Sequence, residues 1–182
     1  MPEWLSSFFN MAKKVTSPVQ PRKKYIPKYI IVHHSAAKAP VPQFDSINEW
    51  HKERDFVQSE LGYYVGYHRV IEKSGEVRIA RGDLERDCDA LGHNFDSLSV
   101  CMVGNFDMED PTPQQIAALA SILQEWCKAY SFTSADIHIH REFAPTNCPG
   151  IRVTRPMVQA WYLQSELKRV SKELAAITSV AG

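Results

Sequence analysis

The sequence lacks a long hydrophobic run, and none of its apolar stretches approaches the roughly 20 residues that a transmembrane helix needs. It also lacks the cysteine density of a small secreted domain, since its 182 residues include only four widely spaced cysteines. No charge excess is present either, because 21 basic residues face 21 acidic ones. These absences disfavour a membrane-spanning protein, a disulfide scaffold and a nucleic-acid binder that relies on bulk positive charge.

The composition that remains is typical of a globular protein. Hydrophobic residues make up 44% of the chain and charged residues 23%. A chain of this length can bury well over half of its unfolded surface around one core. Cys101 and Cys127 lie in apolar segments, and we expect both to be buried as small hydrophobic residues.

Strand patterns alternate with helix patterns along the chain, which predicts an α/β fold with a single domain and a mixed central sheet flanked by helices. On the first helix we expect Asp45 or Ser46 as the cap, Ile47 and Trp50 to face inward, and His51 to be solvated. The predicted strands are residues 29–32, 64–72, 76–80, 98–103 and 136–140, and the second and third of them form a hairpin. The predicted helices are residues 46–54, a helix that begins at Thr112-Pro113, and residues 154–178.

The two ends of the chain differ from its middle. Residues 1–27 form a basic, amphipathic arm and linker, with Trp4 and Phe8 at helical spacing, and residues 28–153 form the domain. The first four residues lack the positive start and apolar stretch of a signal peptide, so we expect synthesis in the cytoplasm. Residues 154–182 are expected to be a helix that packs on the domain. Its apolar seam consists of Leu163, Leu167, Val170, Leu174 and Ile177. The alternative is that this seam packs against a partner helix.

Histidines end two of the predicted strands, where sites commonly form in α/β sheets. His33 and His34 follow the first apolar strand, and His138 and His140 lie at the end of the last one. Cys148 comes eight residues after His140, on a turn-rich loop. Two histidines with one cysteine suit a catalytic zinc site that leaves its fourth position to water. By spacing alone, a hydrogen-bonded structural role for these histidines is the commoner outcome.

Four segments resemble, in the same order, the motifs of the zinc-dependent N-acetylmuramoyl-L-alanine amidases, a family that includes phage endolysins and animal peptidoglycan recognition proteins. They are residues 29–37 (YIIVHHSAA), 65–71 (VGYHRVI), 92–104 (GHNFDSLSVCMVG) and 140–149 (HREFAPTNCP). The resemblance covers residues 28–152, and the histidine, proline and cysteine spacing of its last motif is specific. It implies the fold of that family and peptidoglycan as the partner.

The resemblance also implies roles for individual residues. It implies one zinc per chain, held by His33, His140 and Cys148, with Tyr67 as a catalytic tyrosine and Thr146 at a position that is lysine or threonine in active members. Substrate contacts are expected from His34, His93 and Asn94. However, strand alternation places His34 on the far face of the sheet. For His93 and Asn94, an equal alternative is that they shape the loop. One position departs from the family, since Asp89 stands where a substrate-facing histidine is frequent, which leaves the substrate contact open.

Three functions are compatible with these residues. The first is an amidase of the phage or prophage endolysin type. It would cut between N-acetylmuramic acid and L-alanine and wait as a monomer in the host cytoplasm. The second is a module that binds peptidoglycan without cutting it, and the third is an interaction protein whose terminal helix recruits a partner. A nucleophilic Cys148 would need a base and no metal. The complete set His33, His140 and Cys148 favours the amidase, and the basic arm is expected to engage anionic envelope surfaces.

Overall fold

Helices and strands alternate along the parts of the chain that a computed structural model describes, residues 24–37 and 42–180. Short 3-10 turns flank the last strand, at Ser134–Asp136 and His140–Glu142. The elements are β1 (Tyr29–His34), α1 (Phe44–Lys52), β2 (Arg69–Ile71), β3 (Val77–Ile79), β4 (Ser97–Met102), α2 (Pro113–Tyr130), β5 (Ile137–Ile139) and α3 (Arg155–Val180).

The five strands form one mixed sheet in the order β3-β2-β4-β1-β5. β1 lies between β4 and β5 and is parallel to both, β2 is parallel to β4, and β3 is antiparallel to β2. The predicted α/β class and mixed sheet are therefore confirmed. The central position of β1 agrees with its sequence, since Ile30, Ile31 and Val32 are fully buried and strands that are covered on both faces are continuously apolar.

The two faces of the sheet pack against different layers. Ile30 and Val32 face a large apolar cluster under α2 and α3, which includes Leu123 and Trp126. The opposite face carries Cys101 in a smaller cluster with Phe44 of α1. Because side chains alternate along a strand, His33 lies on the α1 side of β1 and His34 on the α2 side.

Capping fixes where the helices begin. Thr112 forms the expected capping box with Gln115 at the start of α2. α1 starts earlier than predicted, after Gln43, and the Glu72 carboxylate accepts the N–H groups of Gln43 and Phe44 at 3.0 and 2.8 Å. The sequence could not reveal this cap, because Glu72 lies on the following hairpin.

Three expectations for α1 are wrong, the first of which is its cap, since Asp45 and Ser46 lie inside the helix. Trp50 does not face inward, since 49% of it is exposed, and the Arg54 guanidinium lies over its ring at 3.8 Å. His51 is not solvated, since it is only 3% exposed and its Nδ1 accepts the Gly66 N–H at 3.0 Å. The buried residues of α1 are Phe44 and His51, which lie seven positions apart and therefore on one face of the helix.

The terminal helix packs only through its first turns. Val158 is fully buried, and Trp161 and Tyr162 pack against the larger cluster. The expected packing of the seam on the domain is wrong, because its five side chains, Leu163, Leu167, Val170, Leu174 and Ile177, are between 49% and 68% exposed. In the described part of the chain, these seam side chains are therefore left largely uncovered.

The arm predicted for residues 1–27 falls largely outside the described chain, which begins at Lys24. The Tyr25 N–H donates to the Leu84 carbonyl at 2.9 Å, and Pro27 is buried. Tyr25 and Pro27 therefore contact the domain, although both were assigned to the arm. Among the described helices, none combines the length and apolar character that a membrane span requires.

Candidate active site

Strand pairing brings His33 and His140 together. Val32 of β1 is in register with Ile139 of β5, and the two strands run parallel. The residue that follows each of them therefore leaves the sheet at the same edge, as expected for a site at the carboxyl ends of parallel strands. The ring centroids of His33 and His140 are 4.5 Å apart.

Cys148 lies on the loop after β5, and hydrogen bonds to the backbone of that loop hold it in place. The Arg141 N–H donates to the Cys148 carbonyl at 2.9 Å, and the Cys148 N–H donates to Thr146 Oγ1 at 3.2 Å. The Arg141 guanidinium donates to the carbonyls of Gly150 and Val153. This role of Arg141 was not predicted, since its sequence position next to His140 gives no sign of the carbonyls that its side chain reaches.

The three predicted ligands converge on one point. One ligand atom from each of His33, His140 and Cys148 lies within 4.8 Å of the others. Ligand atoms around a tetrahedral zinc are about 3.5 Å apart, so the cluster needs only a small contraction to hold the ion. Two imidazoles and one thiol are a donor set that suits zinc, and they leave a fourth position open.

A carboxylate that sequence reasoning assigned to the substrate side contacts one of these ligands. Asp89 Oδ2 lies 2.8 Å from His33 Nε2, and the two side chains are 0% and 1% exposed. His33 Nδ1 lies 3.6 Å from Cys148 Sγ. Asp89 thus occupies one ring nitrogen of His33, and the other nitrogen faces the ligand cluster.

The surroundings favour the thiolate form of Cys148. Burial alone would raise the pKa of its thiol, but the charge of His33, hydrogen bonds from both ligand histidines and the His34 N–H lower that pKa to about 6. Burial likewise opposes protonation of His33, and the neighbouring Cys148 and Asp89 raise its pKa to about 9. A thiolate is the form of cysteine that binds metal, so the lowered thiol pKa of Cys148 favours its metal-binding form.

Tyr67 lies beside this cluster, 5.1 Å from His33 between ring centroids. It precedes β2 and packs with the smaller apolar cluster on the α1 side of the sheet. Burial and the nearby Cys101, Cys148 and Asp89 raise the pKa of the Tyr67 phenol well above its usual value. The side chain is therefore an O–H donor at neutral pH.

The residues expected to touch substrate are placed differently from one another. His34 is 7% exposed on the far face, and its Nδ1 accepts the Phe106 N–H at 3.2 Å, so it does not face the ligand cluster. Asn94 Oδ1 accepts the N–H groups of Asp89 and Ala90, both at 3.1 Å, which is the loop-shaping role. His93 packs its ring on Phe143 at 4.5 Å between centroids and remains partly exposed.

Two cavities open on the α1 side of the chain. One of about 330 Å³ lies between residues 55–57 and 86–94, and Asn94 is among its lining residues. The other, about 240 Å³, follows the end of β1 and is lined by Ser35, Ile47 and the exposed Trp50. Together they offer concave surface for a ligand larger than the metal cluster.

Comparison with known proteins agrees with this arrangement. The family model described as N-acetylmuramoyl-L-alanine amidase matches residues 22–151. The endolysin of Klebsiella phage KP32 is 34% identical over 155 residues, which cover 82% of this chain and 94% of that protein.

Solved structures give the same result for the fold. The N-acetylmuramoyl-L-alanine amidase LysC from Clostridium intestinale URNW superposes with a TM-score of 0.66 at 29% identity, over 78% of this chain and 89% of that one. The Drosophila peptidoglycan recognition protein SD superposes with a TM-score of 0.61 at 21% identity, over 78% of this chain and 86% of that one, which is a likeness of fold.

Proposed function

This chain belongs to the N-acetylmuramoyl-L-alanine amidase family, and we propose that it hydrolyses its substrate with one zinc ion held by His33, His140 and Cys148. As a peptidoglycan amidase of the endolysin type, it cuts the amide bond between N-acetylmuramic acid and the L-alanine of the stem peptide. The observation that carries the zinc proposal is the convergence of the three ligand atoms within 4.8 Å.

The donor set fits this chemistry. When bound, the zinc acts as a Lewis acid that polarises the scissile carbonyl and makes water nucleophilic near neutral pH. The Cys148 thiolate offsets one of the two positive charges. His33, His140 and Cys148 would hold the ion, and because the nucleophile would be water, no covalent intermediate with the chain would be needed.

Tyr67 and Thr146 act on the reacting atoms in this proposal. The Tyr67 phenol is a neutral donor beside His33, so it stabilises the negative charge that develops on the carbonyl oxygen, where loss of one donor typically costs about 3–4 kcal/mol. Thr146 is too weak a base to take a proton. Its hydroxyl lies next to Cys148 on the exposed side of the loop, where it can hydrogen-bond to the water or the substrate.

The endolysin relatives support a setting for the reaction. We propose that the chain is a monomer that accumulates in the host cytoplasm and reaches peptidoglycan once the membrane is breached. The basic segment of residues 1–23, which lies outside the described chain, then engages anionic envelope surfaces.

The experiment that tests the proposal measures cleavage of purified peptidoglycan and metal content on the same sample. The native protein should contain about one zinc per chain and release stem peptides with free L-alanine amino ends. Cys148→Ala should lose both zinc and activity. Tyr67→Phe should keep its zinc and lose about 10²–10³ in kcat.

The control is Cys127→Ala, which removes a thiol on α2 behind the sheet and should leave zinc content and cleavage intact. Bound zinc without cleavage by the native protein would favour the peptidoglycan-recognition module instead. Carefully purified native protein that contains no zinc and takes none up would overturn the metal site.

A further inference from the structure

We infer that Asp89 is a positioning residue for the metal site, whose carboxylate fixes the ring of His33 so that Nδ1 faces His140 and Cys148. This inference rests on the proposed function, because it concerns the same site. It goes beyond the ligand set by assigning a role to a residue that sequence reasoning placed near the substrate.

The first step is the geometry of the His33 ring. Nε2 lies 2.8 Å from Asp89 Oδ2, which is the distance of a charge-assisted hydrogen bond. Nδ1 lies 3.6 Å from Cys148 Sγ. An imidazole that donates from one nitrogen keeps the lone pair of the other for a metal. Metal-binding histidines commonly donate their second N–H to a carboxylate in this way.

The second step is that Asp89 is itself held in place. The Asn94 side-chain oxygen accepts two consecutive N–H groups, those of Asp89 and Ala90, each at 3.1 Å. This fixes the backbone from which the carboxylate projects. The Asp89 side chain is 0% exposed, so it is shielded from any ligand that approaches from solvent.

The third step is a neighbouring carboxyl, Asp87, which ties the loop that carries Asp89 to the sheet. Asp87 lies two residues before Asp89 and is fully buried. Asp87 Oδ2 accepts the hydroxyls of Ser97 and Ser99, at 3.0 and 3.1 Å, and both serines belong to β4. β4 pairs directly with β1, which carries His33. The loop that carries Asp89 is therefore anchored to the strand beside that of His33.

Asp89 could instead serve stability alone, and metal affinity separates the two roles. A carboxylate that orients a ligand strengthens zinc binding, and loss of such a partner typically weakens it about 10–100-fold. A purely structural carboxylate changes the stability of the metal-free protein and leaves the affinity of the folded protein for zinc unchanged.

The test measures zinc affinity by competition with a chromophoric chelator at one fixed pH. Asp89→Asn, which keeps the shape and one acceptor oxygen but removes the charge, should bind zinc about 10-fold more weakly. Asp89→Ala should approach 100-fold. The matched control is Asp96→Asn in the same loop, where the carboxylate bonds Tyr29 and Lys28 and contacts no ligand. Its affinity should stay within twofold of native.

A second readout follows the ring itself. In the zinc-loaded native protein, NMR should detect a slowly exchanging Nε2 proton on His33, and this resonance should disappear in Asp89→Ala. Native-like affinity in Asp89→Asn would overturn the inference even if Asp89→Ala does not fold. Failure of the native protein to bind zinc would instead count against the proposed function, so the two outcomes are distinguishable.

Discussion

At the scale of single residues, three buried histidines serve the backbone as acceptors. Nδ1 of His34, His51 and His68 accepts the N–H of Phe106, Gly66 and Ser99 at 3.2, 3.0 and 3.0 Å, respectively. His68 also places Nε2 3.0 Å from the Glu85 carbonyl, which fixes its neutral tautomer. A protonated ring could not accept these bonds, so the fold needs the three rings to be neutral.

Stability should therefore fall as the pH falls below neutrality. Burial lowers the pKa of His51 and His68 to about 4 in the folded protein, whereas the unfolded value is 6.5. The unfolded chain binds more protons between those values, so each ring should remove about 2 kcal/mol of unfolding free energy between pH 7.5 and pH 5. Urea unfolding of the metal-free protein across this range measures the loss.

The control for this prediction is His51→Gln, whose side-chain oxygen can still accept the Gly66 N–H but does not titrate. In this variant, the unfolding free energy lost between pH 7.5 and pH 5 should be smaller by the contribution of one histidine. If the unfolding free energy of the native protein is constant from pH 7.5 to 5, the buried rings are not neutral acceptors and the assignment fails.

The residues of the candidate metal cluster could be named from the sequence, and the partners that hold them could not. His33 and His140 follow apolar strands, and Cys148 follows His140 closely in sequence, so pattern and resemblance were sufficient to find them. Asp89 lies 56 residues from His33, and its contact depends on how the loop before β4 folds over β1. His51 was misassigned for the same reason, since its partner Gly66 comes from a different segment.

At the scale of elements, side-chain hydrogen bonds replace the backbone pairing of part of an expected strand. Residues 64–72 were predicted as one strand of a hairpin, but only Arg69–Ile71 pair as β2. The Arg81 side chain donates to the Val65 carbonyl at 2.6 Å, and His51 accepts the Gly66 N–H. These bonds satisfy backbone groups that a strand would pair, so the segment runs as a loop and carries Tyr67 to the site. Alternation patterns do not reveal such substitutions.

The two halves of α3 should respond differently to truncation. Val158→Ala removes fully buried side-chain atoms from the larger cluster and should cost about 2 kcal/mol of unfolding free energy. Leu167 is 68% exposed, so Leu167→Ala should change the unfolding free energy by less than about 0.5 kcal/mol. Denaturant unfolding of both variants measures the contrast.

Protein concentration is the control for the helix prediction. Gel filtration of the native protein should give one monomeric volume at every concentration. A Leu167→Ala variant that is destabilised as much as Val158→Ala, together with a native elution volume that shifts with concentration, would mean that a second copy covers the seam.

At the scale of the whole molecule, a net charge of zero hides an uneven distribution. Residues 1–30 carry a net charge of +5, so the remainder carries −5. Most of this excess lies in residues 1–23, whose net charge is +3. The catalytic part of the chain is thus acidic overall, and the N-terminal segment carries the positive charge on which the proposed attraction to an anionic envelope relies.

Removal of residues 1–23 should separate envelope targeting from catalysis. Each Lys or Arg near an anionic surface is worth about 1 kcal/mol, and the deleted segment has a net charge of +3. Lysis of whole envelopes at low salt should therefore slow by at least about tenfold and become less sensitive to salt. The deletion keeps Lys24 and the Tyr25 contact with Leu84, so cleavage of purified peptidoglycan, which lacks anionic lipid, should be unchanged.

A variant of unchanged length with Lys13→Gln and Lys14→Gln should show part of the same loss. Equal envelope rates and equal salt dependence for native and truncated proteins would show that the segment does not target the enzyme. A parallel loss on purified peptidoglycan would mean that it supports the catalytic domain instead.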